Sequence, residues 1–248
     1  MISFTRGLIF YIGYVISIIF YSVFVTPFAW LLLPFKQRYY IVTSWIRFLG
    51  WWLKVTCGIS YELENPQDLP KELCVVVANH QSIWETFFLQ QYFAPQCVAA
   101  KKELMYIPFV GFTLRALNPV VIDRSKKQNA LKQLIQQGKE RLNDGVSVLI
   151  FPEGTRVPMG ELKPHFAGGA MLAIKAEIGI LPIAHNAGLY WPPGKISKFP
   201  GTIKIRVGQL TQTIDRKPKE LSKELEDWIR ENSDELCHQN NIQLVSTD

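Results

Sequence analysis

The chain has 248 residues, enough for one domain with a sizeable buried core. Hydrophobic residues make up 48% of it, with 7 Trp and 15 Phe, which is rich for a freely soluble enzyme. The formal net charge of +6 calls for an anionic partner, but the basic residues are scattered and no nucleic-acid module is present, so the balance favours membrane lipid and excludes nucleic acid.

Residues 7–35 carry no charge, more than the roughly 20 residues that span a bilayer core. The run is too long for a cleaved signal peptide, and no A-x-A site follows it. Pro27 interrupts it, so a kinked or broken helix is expected. A second apolar-aromatic segment, residues 39–53, carries Arg47. Trp30, Trp45, Trp51 and Trp52 with Tyr39 and Tyr40 resemble an interfacial aromatic belt. Two topologies fit. In one, residues 7–33 span and the second segment lies on the surface; in the other, both dip into one leaflet as a helical hairpin. A buried core helix of a soluble protein fits poorly at this length. If the run spans, Lys36, Arg38, Arg47 and Lys54 outweigh Arg6, which places the following domain in the cytoplasm beside the inner membrane. Residues 1–57 are thus read as a membrane-anchoring helical segment and residues 58–248 as the main domain.

Residues 58–71, with Pro66 and Pro70, read as the boundary. Residues 73–78 form a strongly apolar run, expected as a buried strand, and residues 86–92 read as a helix. Residues 97–100 read as a short strand leading to Lys101, and Pro108 and Gly111 break the next stretch. Residues 118–122 read as a strand ending in Asp123-Arg124. Residues 126–143 carry an approximate apolar stripe and read as a helix. Residues 146–151 read as a buried strand and 166–178 as a helix. Residues 180–184 read as a strand ending at His185-Asn186, and residues 202–207 alternate like a half-exposed strand. Leu221, Leu225, Trp228, Ile229 and Leu236 mark an amphipathic C-terminal helix. No internal repeat appears. Strands alternating with helices predict an α/β fold, a mostly parallel sheet flanked by helices, behind an N-terminal apolar helical membrane segment. Cys57, Cys74, Cys97 and Cys237 form no CxxC pair and no metal-ligand spacing, so they read as buried reduced thiols, and no metal site is expected.

The chemistry centres on Asn79-His80-Gln81-Ser82-Ile83-Trp84-Glu85, at the C-terminal end of the first buried strand, where open α/β sheets place their sites. Positions i and i+5 share no helix face, so His80 belongs in the loop and Glu85 in the first turn of the helix. Ser82 and Glu85 have the spacing of a capping box, with Ser82 as N-cap and Glu85 at N3. Glu85 then has two readings: a cap alone, or the group that fixes the His80 tautomer while the other ring nitrogen takes a proton. Asp123-Arg124 and Phe151-Pro152-Glu153-Gly154-Thr155-Arg156 stand at two further strand ends. His165 and His185 could be bases or ligands, but no cluster of ligand spacing surrounds them, and both read as structural.

Taken in order, Asn79-His80, Ile122-Asp123-Arg124, Phe151 to Arg156 and the apolar Leu181-Pro182-Ile183-Ala184-His185 resemble the four ordered motifs of the glycerolipid acyltransferase family, with the look of bacterial 1-acyl-glycerol-3-phosphate acyltransferases. The likeness covers residues 73–185. Two departures stand out: the family's usual Asp of the first block is Glu85 here, and a basic residue often found near Phe166 is absent. The resemblance implies that residues 58–248 are an acyltransferase domain that moves a fatty acyl group directly from acyl-CoA or acyl-carrier protein to a lysophospholipid. The acceptor it implies is the 2-hydroxyl of lysophosphatidate, in phospholipid biosynthesis, with no cofactor beyond the acyl donor. His80 is then the general base, with Glu85 as its partner. Phosphate would be held by Arg124 first, then Lys101 and Arg156, because guanidinium and ammonium groups with backbone amides bind phosphate. Gly154 and Thr155 supply a tight turn and a hydroxyl close to ligand, and by resemblance Glu153 contacts the acceptor's glycerol hydroxyl; a structural cap of the turn is the plainer role for it. Three other readings compete: an acyltransferase for another lysophospholipid, a non-catalytic membrane lipid-binding protein of the same fold, and a thioesterase. A lipid-binding module needs no base, and water needs no phosphate clamp.

Overall fold

The computed structural model describes residues 2–125, 127–159, 161 and 163–245. Helix α1 (Ile2–Phe20) continues through a π-helical turn, Tyr21–Val25, into α2 (Thr26–Leu32). Pro27 follows that π-helical turn, in the first turn of α2, so the α-helical pattern is interrupted at the proline as expected. Pro34 precedes α3 (Phe35–Cys57), which returns antiparallel to α1: Trp45 Nε1 donates to Ser17 Oγ at 3.0 Å and Trp52 Nε1 to the Phe10 carbonyl at 3.1 Å. A Cβ at Gly13 would lie 2.3 Å from Trp52 Nε1, so glycine lets the two helices approach. Gly58 closes α3 in the left-handed conformation, φ 68°, donating its N–H to Lys54 O.

The remaining elements in order are β1 (Ile59–Leu63), β2 (Val75–Ala78), α4 (Trp84–Phe88), β3 (Gln96–Lys101), α5 (Val110–Ala116), β4 (Val120–Ile122), α6 (Lys127–Asn143), β5 (Ser147–Ile150), α7 (Gly168–Ala176), β6 (Ile180–His185), α8 (Ala187–Tyr190), β7 (Gly201–Val207) and α9 (Pro218–Val245). Lys126, the expected first residue of α6, lies outside the described residues. The seven strands form one sheet in the order β1-β7-β6-β2-β5-β3-β4. The five from β6 to β4 are parallel, β7 is antiparallel to β6, and β1 is parallel to β7. The expected mostly parallel α/β sheet is therefore present. Strand β1 is an addition: residues 58–71 read as a boundary, yet Ile59, Tyr61 and Leu63 alternate and pair with β7 at the sheet edge.

Side-chain alternation along the strands builds two cores. Val75, Val77, Val148 and Ile150 face α6, α7 and α9, burying Leu134, Leu172, Leu221, Leu225 and Ile229. Cys74, Val76, Ala78, Leu149 and Ile183 face the other way, against Phe10, Trp45, Leu49, Trp84 and Phe88 from α1, α3 and α4. The N-terminal helices thus form one layer of the sandwich. Their outer side is bare: Ile12, Ile16, Phe20, Phe24, Phe28, Leu31 and Trp51 are all exposed. Among the described residues, residues 2–32 form one helical run long and apolar enough to cross a membrane. At the opposite sheet edge, β4 is finished by side chains of α6. Gln137 receives the Val121 N–H at 2.9 Å and returns an N–H to its carbonyl at 2.8 Å, and Gln133 receives the Asp123 N–H at 2.8 Å.

Candidate active site

The C-terminal ends of β2, β3, β4 and β5 bring the sequence-selected residues to one edge of the sheet. After Ala78 the chain turns out of the sheet, and His80 Nδ1 comes to 2.8 Å from Glu85 Oε1. The same oxygen accepts the Ser82 N–H at 2.7 Å, so one carboxylate serves both the loop and the imidazole, and the two readings of Glu85 coincide. The expected capping box forms only by half. Ser82 Oγ accepts the Trp84 N–H at 3.2 Å instead of that of Glu85, and Ile83 stands at the cap position, because α4 starts at Trp84. Glu85 is wholly buried. Burial raises the cost of its charge, but the hydrogen bonds from the His80 ring and the Ser82 N–H outweigh that and hold its carboxyl below the ordinary range. An ionised carboxylate on Nδ1 places the ring proton there and leaves Nε2 as the basic nitrogen. The His80 ring lies flat on Phe151, centroids 4.1 Å apart and planes 11° from parallel. It is 16% exposed, open enough for a substrate to reach.

The block after β5 is laced to this loop. Buried Glu153 accepts the His80 N–H on Oε2 at 2.6 Å, and its Oε1 lies 3.7 Å from His165 Nε2. Val157 donates its N–H to the His80 carbonyl at 2.7 Å. Gly154 has φ +70° and donates to Phe151 O at 3.0 Å, the tight turn its position demands. Arg124, beyond β4, donates to the Gly154 carbonyl. Lys101 ends β3 opposite Ile122 and is exposed, as are Thr155 and Arg156 on the turn. Lys102, its neighbour, is paired with Asp123 at 3.4 Å. Positive groups therefore line the rim while two buried carboxylates flank the histidine.

Three residues outside the selected set complete the surroundings. Asn79 pairs its carboxamide with the His185 backbone, Nδ2 donating to O at 2.8 Å and Oδ1 accepting N–H at 3.1 Å. Ser233 of α9 donates to the His185 carbonyl at 3.3 Å and accepts from Asn79 Nδ2 at 3.3 Å and Gln81 Nε2 at 3.2 Å. His185 is fully buried. A serine 154 positions downstream of Asn79 leaves no local signal, whereas Asn79 directly before His80 was visible as part of the motif string.

The Acyltransferase family profile matches residues 60–186, the span that contains every one of these strand ends. The chain is 44% identical over 219 residues to the 1-acyl-sn-glycerol-3-phosphate acyltransferase of Pseudomonas aeruginosa, covering 87% of this chain and 84% of that one. It is 36% identical over 135 residues to the Saccharomyces cerevisiae protein of the same name, covering 53% of this chain and 44% of that one. The crystal structure of the 1-acyl-sn-glycerophosphate (LPA) acyltransferase PlsC of Thermotoga maritima superposes with a TM-score of 0.77 at 27% identity, over 94% of this chain and 95% of that one. With a histidine–carboxylate pair and the Phe151 to Arg156 turn inside the matched span, the chain belongs to the acyltransferase family.

Proposed function

We propose that this enzyme transfers a fatty acyl group from the thioester of acyl-CoA or acyl-carrier protein to the 2-hydroxyl of lysophosphatidate, giving phosphatidate. The observation that carries this reading is the 2.8 Å contact between His80 Nδ1 and the buried Glu85 carboxylate. His80 Nε2 takes the proton of the acceptor hydroxyl as its oxygen attacks the thioester carbonyl. The tetrahedral oxyanion collapses, the carbon–sulfur bond breaks, and the imidazolium returns the proton to the departing thiolate. Glu85 stabilises the imidazolium between those steps, and a positioned base of this kind contributes on the order of 10²–10⁴-fold. Ser82 is engaged in the turn into α4, which supports direct transfer over an acyl-serine. Arg124, Lys101 and Arg156 form the cationic rim for the acceptor phosphate. Glu153 holds the His80 N–H with Oε2, and its Oε1, 3.7 Å from His165 Nε2, is the oxygen that would meet the glycerol hydroxyl.

The packing of α1 favours the one-leaflet topology. Its start touches the domain where Lys198 donates its N–H to Ser3 O at 3.3 Å, its middle where Tyr14 meets Phe87 with ring centroids 6.3 Å apart, and the turn after it where Ser22 Oγ donates to Phe109 O at 3.0 Å. A helix held along its length suits an anchor lying in one leaflet, its exposed apolar side in lipid, better than one standing across a bilayer. The one-chain acceptor resides in that leaflet.

The test is thiol release from acyl-CoA and from acyl-carrier protein by purified enzyme, with and without lysophosphatidate, for the parent and His80→Ala. Release that needs both the acceptor and His80 supports the reading. Acceptor-independent release would point to a thioesterase, and full turnover by His80→Ala would remove the base assignment. A lipid-binding protein would release nothing with either donor. Release with another lysophospholipid but not with lysophosphatidate would move the acceptor.

A further inference from the structure

The peptide group joining Asn79 to His80 is held at both ends. Its N–H donates to Glu153 Oε2 at 2.6 Å, and its carbonyl lies 2.8 Å from His185 Nε2. The His185 tautomer follows from its second nitrogen, because Ala187 N–H donates to Nδ1 at 3.3 Å. Nδ1 is then an acceptor, Nε2 carries the proton, and the neutral ring donates to the Asn79 carbonyl. Both ring nitrogens are used internally and the residue is fully buried, so His185 has no route to substrate. The side chain of Asn79 adds two bonds to the His185 backbone, continuing the β2–β6 pairing beyond Ala78 after the strands themselves part.

From this geometry we infer that His185 is a positioning residue for the transfer reaction: with Glu153 it clamps the Asn79–His80 peptide plane and so sets the angle at which the His80 imidazole meets the acceptor hydroxyl. The inference rests on His80 being the base. The chemistry demands such a clamp, because Glu85 and Phe151 fix the ring about its own bonds but not the direction of the Cα–Cβ bond that carries it. A backbone rotation at residue 80 would swing Nε2 by an ångström or more, and a misplacement of about 1 Å can cost on the order of 10²-fold in rate. Burial pushes the His185 pKa down against the pull of Glu85, which keeps the ring in the neutral form that the clamp requires.

Two substitutions separate the ring nitrogens. In His185→Gln the side-chain amide can place an N–H where Nε2 stands, keeping the bond to Asn79. In His185→Asn the shorter side chain reaches only the Nδ1 position, keeping the bond from Ala187 and losing the clamp. Steady-state kinetics on vesicle-bound enzyme should show His185→Asn with kcat lowered about 10²-fold and acceptor KM within about twofold, and His185→Gln recovering at least tenfold of that loss. Thermal unfolding of both variants is measured alongside. A purely structural histidine predicts the opposite pattern: the two variants lose activity only in proportion to stability, or His185→Asn matches His185→Gln. Either result overturns the inference, as does a kcat for His185→Asn within about threefold of the parent. If His185→Asn does not fold, His185→Gln alone decides: its kcat should stay within about tenfold of the parent, and a larger loss at unchanged stability would refute the clamp. His80→Ala run beside them tests the base itself: if it turns over normally, the failure lies in that assignment and not in the clamp.

Discussion

At the scale of the residue, the consequences turn on charge more than on size. Glu85→Gln keeps the shape and an acceptor for the Ser82 N–H but removes the charge facing His80, and it also allows the wrong ring tautomer. The expected outcome is a kcat lower by roughly 10²-fold or more with acceptor KM little changed, read by steady-state kinetics. Arg124→Lys is the informative change at the rim, because an ammonium keeps the charge while losing the planar fork that reaches the Gly154 carbonyl. Acceptor KM should rise about tenfold with kcat less affected, and an unchanged KM would take Arg124 out of phosphate binding. Most of the site was legible in the sequence because its residues fall in short strings at strand ends: His80 with Glu85, Asp123-Arg124, and Phe151 to Arg156. What was not legible are contacts across more than 100 positions, such as Ser233 on Asn79 and His185 on the Asn79 carbonyl. No periodicity or spacing records those.

At the scale of the element, two glycines carry testable weight. Gly154 sits at φ +70°, where an L-residue costs roughly 1–2 kcal/mol. An added Cβ there would stand 3.4 Å from the Arg124 guanidinium. Gly154→Ala should therefore lower stability by about 1 kcal/mol and raise acceptor KM, measured by denaturant unfolding and by kinetics on the same sample. Gly7 lies where α1 crosses the segment before β7, and a Cβ would come 1.9 Å from the Ile196 carbonyl. Gly7→Val should push the start of α1 off the domain, seen as faster proteolysis of the N-terminal segment in the variant; an unaltered cleavage rate would show that the contact is dispensable. The long, strongly patterned elements were readable from sequence: α6, α9, and the buried strands β2, β5 and β6 all fall where apolar runs predicted. Strand β1 was not. It is five residues long, follows a helix directly and precedes two prolines, so its alternation was outvoted by its surroundings. The start of α4 moved because Ser82 takes the Trp84 N–H and opens its turn two residues before the helix.

At the scale of the whole molecule, acid sensitivity between pH 7 and 5 follows from His185, since imidazole is the side-chain type whose ordinary pKa lies in that range. His185 is buried and its pKa is lowered, so the folded state binds fewer protons there than the unfolded chain, whose imidazole titrates near its ordinary value of about 6.5. Stability then falls as pH drops below about 6.5, and His185→Gln should flatten that part of a plot of unfolding free energy against pH. A slope unchanged in the variant would place the proton uptake elsewhere. The apolar run at residues 7–35 was legible as a helix long enough to cross a membrane; the three-layer packing behind it was not readable, because an apolar helix looks alike whether its inner side meets lipid or a sheet.

The glutamines that α6 lays along β4 have a further consequence wherever copies of the chain crowd together. Confinement to a membrane sheet concentrates copies of the chain and orients them alike, so an open strand edge would meet its own kind often. By answering both backbone groups of Val121, Gln137 denies that edge to a neighbour. At Val121 the edge then offers a second copy no open backbone group to pair with.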